Sequence, residues 1–188
     1  MTDFSQILVD HPASKVMRIT LNRPHAMNAY TTHLCEEVTE AVEAYLRDDN
    51  QRALIITGAG RGFCSGGDVS GNGDEEHKAL MASQLSHGRE MRDGMHRVIL
   101  ALQRCDKPVI AMINGAAVAG GLTLALACDI RIASDQAKLG DTSGRFGLLP
   151  DEGGAWFFPR AMGMDRALKM SMLAETYDAR TAMELGLV

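Results

Sequence analysis

Residues 107–134 read KPVIAMINGAAVAGGLTLALACDIRIAS, and this stretch decides the architecture. Lys107-Pro108 ends what precedes it, Val109 to Ile113 is a short apolar run, and Asn114-Gly115 marks a turn. Residues 116–128 are small or apolar throughout, with Gly120-Gly121 near their start, which predicts a helix buried against a sheet. Residues 129–134 form the next short apolar run. Strand, helix and strand in this order, with the strands buried on both faces, is the pattern of parallel strands joined by crossovers.

The same alternation extends outward. Residues 15–21 place Met17, Ile19 and Leu21 on one face of a strand that Asn22-Arg23-Pro24 stops. Over residues 29–47, Leu34, Val38, Val42, Tyr45 and Leu46 recur at helical spacing, with Glu36, Glu37, Glu40 and Glu43 opposite or beside them. Residues 53–57 are another doubly buried strand. Residues 58–73 hold seven glycines and read as a loop. A helix is expected within 75–104, a second Gly- and Pro-rich stretch over 140–154, and amphipathic helices at 165–173 and 179–185. With no internal repeat and no linker, residues 1–188 read as one α/β domain.

Composition narrows the function classes. The chain has 188 residues, 46% hydrophobic and 23% charged, enough to build a core without disulfides or metal. No run approaches the roughly 20 apolar residues of a membrane span. Residues 1–10 carry two acids and no Lys or Arg, so neither a secretory signal nor a transit peptide is visible and a cytoplasmic location is expected. A net charge of -5 with interspersed signs, and only 5% aromatics, argue against a nucleic-acid partner. Cys35, Cys64, Cys105 and Cys128 form no C-x-x-C pair and read as reduced, buried thiols. The histidines show no ligand spacing, so no metal is expected.

Two glycine-rich turns could carry chemistry, Phe63 to Asp68 and Ala119 to Gly121. Both follow predicted strands, and in α/β sheets ligands bind at the carboxyl ends of strands. A glycine leaves its peptide N–H uncovered, and two such groups converging on one oxygen make an oxyanion hole, each donor worth about 100- to 1,000-fold in rate. Neither a G-x-x-x-x-G-K-[ST] nor a G-x-G-x-x-G turn follows a strand, so nucleotide cradles are absent. Cys64 and Ser65 lack the context of a nucleophile.

Four segments then carry a resemblance: NRPHAMNA at 22–29, ALIITGAGRGFCSGGDV at 53–69, the opening stretch at 107–134, and FGLLPDEGG at 146–154. In kind and order they resemble the enoyl-CoA hydratase/isomerase (crotonase) family over nearly the whole chain. The resemblance implies a spiral of repeated ββα units, acyl-CoA thioester substrates and chemistry through a thioester enolate. It implies that Gly67 and Gly120 supply the two hole donors. Coenzyme A is expected to pass Arg23, His25 and Ala26 on one side and Asp68 and Val69 on the other, and it belongs to the substrate, so no separate cofactor is expected. Residues 70–90 are expected to line the acyl pocket. Members of the family continue beyond Gly186-Leu187-Val188, so the chain is expected to be truncated, lacking a C-terminal helical segment that completes the pocket and a homo-trimer or hexamer interface.

The departures decide the reaction. Hydratases of the family hold a water with two glutamates, and the positions here are Thr123 and Ser143. Neither hydroxyl is a general base near neutral pH without an activating partner. Asp151 in LPDEGG resembles the aspartate of the family's isomerase-like branches, and Glu152 beside it is the second candidate. One carboxylate beside a stabilised enolate suffices to move a proton between two carbons. The expectation is an acyl-CoA isomerase with Asp151 as proton shuttle. The alternatives are a hydratase or other lyase of the family, and a non-catalytic acyl-CoA binder.

Overall fold

The structure, a computed structural model, describes residues 4–69 and 86–188. Residues 70–85, expected to hold part of the acyl-pocket wall, lie outside the described residues. The chain enters as a hairpin of β1 (Ile7–Ala13) and β2 (Val16–Leu21). Ala13 pairs with Val16, leaving Ser14 and Lys15 as the turn, with Lys15 at φ 62°. The strand β1 went unread in the sequence because its residues are largely solvent-facing, so no apolar alternation marks it.

Four turns of a two-sheet spiral follow. In the first, β2 leads to an isolated parallel bridge between Tyr30 and Gly67, then to α1 (Thr32–Arg47). In the second, β3 (Ala53–Gly58) is followed by β4 (Gly62–Cys64), α2 (Ser86–Asp93) and α3 (Met95–Gln103). In the third come β5 (Val109–Ile113), β6 (Ala116–Val118) and α4 (Gly120–Leu126). In the fourth, β7 (Ile130–Ala133) and β8 (Lys138–Gly140) precede a 3-10 turn at Ser143–Phe146 and α5 (Gly154–Met162). The chain ends with α6 (Met164–Leu173), β9 (Thr176–Asp178) and α7 (Ala179–Glu184). One sheet has the order β1-β2-β3-β5-β7 and the other β4-β6-β8-β9. Within them β2, β3, β5 and β7 are parallel, as are β4, β6 and β8. This is the expected ββα repeat.

Helix α1 forms where the sequence places it. Thr31 caps it by accepting from Leu34 N–H, and Leu34, Val38, Val42 and Tyr45 bury one face. Glu37, one of the acids opposite or beside that face, is buried. Its carboxylate accepts from the N–H groups of Ser5, Gln6 and Ile7, anchoring the start of β1.

Four expectations are corrected. Residues 116–128 are not one helix, because 116–118 form β6; Ala116, Ala117 and Val118 suit either state, and pairing with β4 decides. The 58–73 loop contains β4. The helix expected within 75–104 breaks at Gly94, which caps α3. Not every long strand is buried on both faces: Met112, Ile130 and Ile132 on β5 and β7 are exposed, so among the described residues one face of the first sheet lies open at these strands. Helix α5 was unread, its pattern interrupted by Pro159 within it. No helix among the described residues is long and apolar enough to cross a membrane.

Candidate active site

Two adjoining cavities lie where the strands of the second sheet end. The smaller, about 180 Å³, is lined by Tyr30, Gly67, Met91, Ala119, Ser143 and Glu152 among others. The larger, about 570 Å³, is lined by Arg23, His25, Ala26, Val118 and Arg145 among others. Ser65, Gly67, Asp68, Val69, Thr142 and Phe146 belong to both walls, so the two are one continuous groove. This is the strand-end location that open α/β sheets use for ligands.

The two glycine turns meet here. In the bridge with Tyr30, the ladder bonds are made by Gly66 O and Asp68 N–H, on either side of Gly67. The N–H of Gly67 therefore points away from Tyr30's strand, as parallel pairing requires. Gly120 is the first residue of α4, so its N–H is one of those without an intrahelical acceptor. Each donor follows a residue with positive φ, Gly66 at 95° and Ala119 at 50°. The Ala119 value, with ψ -127°, is sparsely populated for a residue with a Cβ, and this strain sits on the peptide that carries the Gly120 N–H. The turns touch: a Cβ at Gly66 would lie 3.0 Å from Ala119 Cβ and 3.6 Å from Gly120 N.

The acids separate sharply. Asp151 faces outward and is about one third exposed, its Oδ2 2.7 Å from His87 Nε2, while its carbonyl oxygen lies 2.9 Å from His96 Nε2. It is not on either cavity wall. Glu152 is buried on the wall of the smaller cavity, and its Oε1 accepts from the Tyr30 hydroxyl at 2.9 Å. Its Oε2 is buried without a hydrogen-bond partner among the described residues. Burial pushes the Glu152 carboxyl above its ordinary value; the Tyr30 hydroxyl opposes this, and the Asp151 and Asp141 carboxylates add to it. Glu90, buried on α2, lines the same cavity, as does His87 one helical turn before it.

Ser143 lines the smaller cavity, whereas Thr123 is fully buried away from both. Val69 and His25 are exposed on the groove walls. Arg23 lines the larger cavity but is not a free phosphate partner. Its guanidinium is buried, donating to Ala29 O and, at 2.8 Å, to Asp68 Oδ2. Arg145, which the sequence reading did not single out, supplies a cation on that wall. Cys64 is buried beside the site, with its thiol pushed up to about 12 by burial, so it is no nucleophile. Among the described residues no group of three or more His, Cys, Asp or Glu side chains could hold a metal ion.

Two glycine turns in contact at strand ends, a buried carboxyl beside them and an adjoining groove are what the structure of this α/β protein brings together. The chain belongs to the enoyl-CoA hydratase/isomerase family, whose model matches residues 12–188. It is 36% identical over 183 residues to a 1,2-epoxyphenylacetyl-CoA isomerase of Escherichia coli, covering 97% of this chain and 68% of that protein. Over 186 residues it is 32% identical to a trans-2-decenoyl-[acyl-carrier-protein] isomerase of Streptococcus mutans, covering 99% of this chain and 69% of that protein. A crystal structure of an enoyl-CoA hydratase from Bacillus anthracis superposes with a TM-score of 0.86 at 34% identity, covering 98% of this chain and 69% of that one. The chain spans between 62% and 69% of the length of curated relatives such as these. The fold is thus that of the crotonase family, and relatives include both isomerases and hydratases.

Proposed function

We propose that this protein is an acyl-CoA isomerase in which Glu152, rather than Asp151, carries the proton. The observation that supports this is the buried Glu152 carboxyl, its Oε1 2.8 Å from where a Cβ on Gly120 would be, on a cavity wall shared with Gly67. The thioester oxygen accepts from the N–H groups of Gly67 and Gly120. The Glu152 carboxylate removes a proton from one carbon, and the electron pair moves into the thioester as an enolate. The resulting carboxylic acid returns the proton to the other end of the conjugated system. A carboxyl whose proton affinity is raised by burial is a better base than an exposed one, and general acid–base catalysis of this kind is worth about 100- to 10,000-fold. Coenzyme A would lie in the larger cavity, past His25, Ala26 and Val69, with Arg145 as a phosphate partner.

Glu90 favours a second reading. It supplies a second buried carboxyl on the same wall, so a hydratase using Glu90 and Glu152 in place of the family's glutamates is the competitor. Product mass decides between them, since isomerisation conserves mass and hydration adds a water. A panel of enoyl-CoA thioesters is incubated with the protein and read by mass spectrometry and by proton NMR of the double bond. Double-bond movement without mass change is the expected result; a 3-hydroxyacyl product selects hydration, and binding without conversion selects the non-catalytic binder. Glu152→Gln should lower turnover by about 100-fold or more while Asp151→Asn stays within about tenfold. The reverse order would return the proton to Asp151.

A further inference from the structure

We propose that Tyr30 is the positioning residue of this site: its main chain holds the Gly67 turn and its hydroxyl holds the Glu152 carboxyl, setting the proton carrier against both glycine turns. This rests on the reading of Glu152 as proton carrier. Tyr30 N–H donates to Gly66 O at 2.9 Å, and Tyr30 O accepts from Asp68 N–H at 3.0 Å. The ring occupies the ground that a side chain on Gly120 would need, and it lies at contact distance from where one on Gly67 would be. A Cβ on Gly120 would lie 2.6 Å from Tyr30 Cε1, and one on Gly67 3.4 Å from Tyr30 Cζ. The hydroxyl then reaches Oε1 of Glu152, 122 residues further along the chain. With only 2% of its surface exposed, Tyr30 has no room to swing aside without opening a void.

The hydroxyl also biases the charge of the acid. Burial keeps the phenol itself protonated, well above its ordinary value, so it remains a donor throughout the range in which a carboxyl titrates. A donor favours the carboxylate over the acid and so counters the effect of burial on Glu152. The other groups acting on Glu152 are its own backbone N–H, which like the phenol favours the carboxylate, and the Asp151 and Asp141 carboxylates and the Cys64 thiol. Asp68, His87 and Glu90 stand on the wall of the same cavity. Tyr30→Phe leaves all of these in place and keeps the ring.

The test is a direct titration of Glu152 by carbon-13 NMR in protein labelled at its glutamate carboxyls, with the signal identified by its loss in Glu152→Gln. In Tyr30→Phe the midpoint should rise by about one to two pH units, the size of one hydrogen bond to a charged group. The acid limb of α-proton exchange between hexanoyl-CoA and deuterated water should move with it. Replacing tyrosine by 3-fluorotyrosine, a stronger donor, should lower the midpoint; Tyr45 and Tyr177, the other two tyrosines, are on neither cavity wall. A midpoint that stays put in both proteins overturns the proposal, even if Tyr30→Phe melts earlier, since that is the mark of packing alone. The titration requires no turnover. If Glu152→Gln exchanges α-protons as fast as the parent, the reading of Glu152 falls, and the titration still reports separately on Tyr30.

Discussion

Alanine placed in turn at Gly67, Gly120 and Gly121 should produce three different outcomes, ordered by what each new Cβ meets. At Gly67 the nearest atoms are Tyr30 Cζ and Oη, both at 3.4 Å, an ordinary contact. At Gly120 they are Tyr30 Cε1 at 2.6 Å, Glu152 Oε1 at 2.8 Å and Tyr30 Oη at 2.9 Å. At Gly121 the Cβ would run into the backbone carbonyl of Cys64, which cannot yield without breaking β4. For Gly120→Ala, the Tyr30 ring must recede by about 1 Å to reach a normal carbon contact. Overpacking of this kind costs about 1–3 kcal/mol, offset by up to about 1 kcal/mol of helix propensity at the start of α4. The net cost is about 0–3 kcal/mol, a fall in Tm of at most about 10 °C at this chain length. Catalysis suffers far more, because displacing the acid by about 1 Å costs on the order of 100-fold. Hexanoyl-CoA α-proton exchange, read by mass spectrometry beside a thermal melt, separates the two effects. Gly67→Ala should stay within about tenfold of the parent, Gly120→Ala should fold and exchange about 100-fold more slowly, and Gly121→Ala should not fold. A Gly120→Ala protein exchanging at the parent rate would refute the argument that Tyr30 and Glu152 are set by the absence of that side chain.

Three further outcomes follow from burial and charge. The Glu152 carboxyl binds its proton more tightly folded than unfolded, so the native state loses stability as pH rises from about 4.5 through the raised folded value. Glu152→Gln removes that loss, and its urea midpoint should exceed the parent's by more at pH 8 than at pH 4; an equal difference at both would count against the raised value. Arg23→Met strips the buried Asp68 carboxylate of its guanidinium and should cost about 3–5 kcal/mol in urea unfolding. A loss under 1 kcal/mol would mean that the pair is replaceable. Among the thiols, Cys105 alone is only partly buried, while Cys35, Cys64 and Cys128 are enclosed. Iodoacetamide at pH 8 should therefore label Cys105 first, slowly because burial pushes its thiol up to about 11, and earlier labelling of Cys64 would contradict the packing beside the site.

The turns at Gly67 and Gly120 were legible because glycine in a strand-to-helix turn is a backbone statement, and backbone geometry is local. Which of Asp151 and Glu152 faces the cavity was not, since two neighbours in a non-repetitive turn have no period from which to tell inward from outward. Arg23 looked like a loop cation because its partner, Asp68, lies 45 residues away. Tyr30 stands one residue beyond the NRPHAMNA segment, and its value depends on contacts with residues 67, 120 and 152, which no local pattern encodes. Glu90 and His87 fall within the 70–90 stretch expected to line the acyl pocket, but nothing local marked these two out from their polar neighbours. β4 and β6, at three residues each, are shorter than any alternation that could announce them.

Gly67 and Gly120 stand just past the ends of β4 and β6, which are hydrogen-bonded neighbours. The strands that lead into the two turns are spaced as adjacent strands are, about 4.8 Å apart. An oxygen about 2.9 Å from each of two donors can bridge that gap. In the proposed reading, the pitch of the spiral doubles as a gauge for one atom, written into the main chain and out of reach of most substitutions. Changes on the walls, at Glu90, Ser143 or Phe146, can alter what is held there without altering the grip itself.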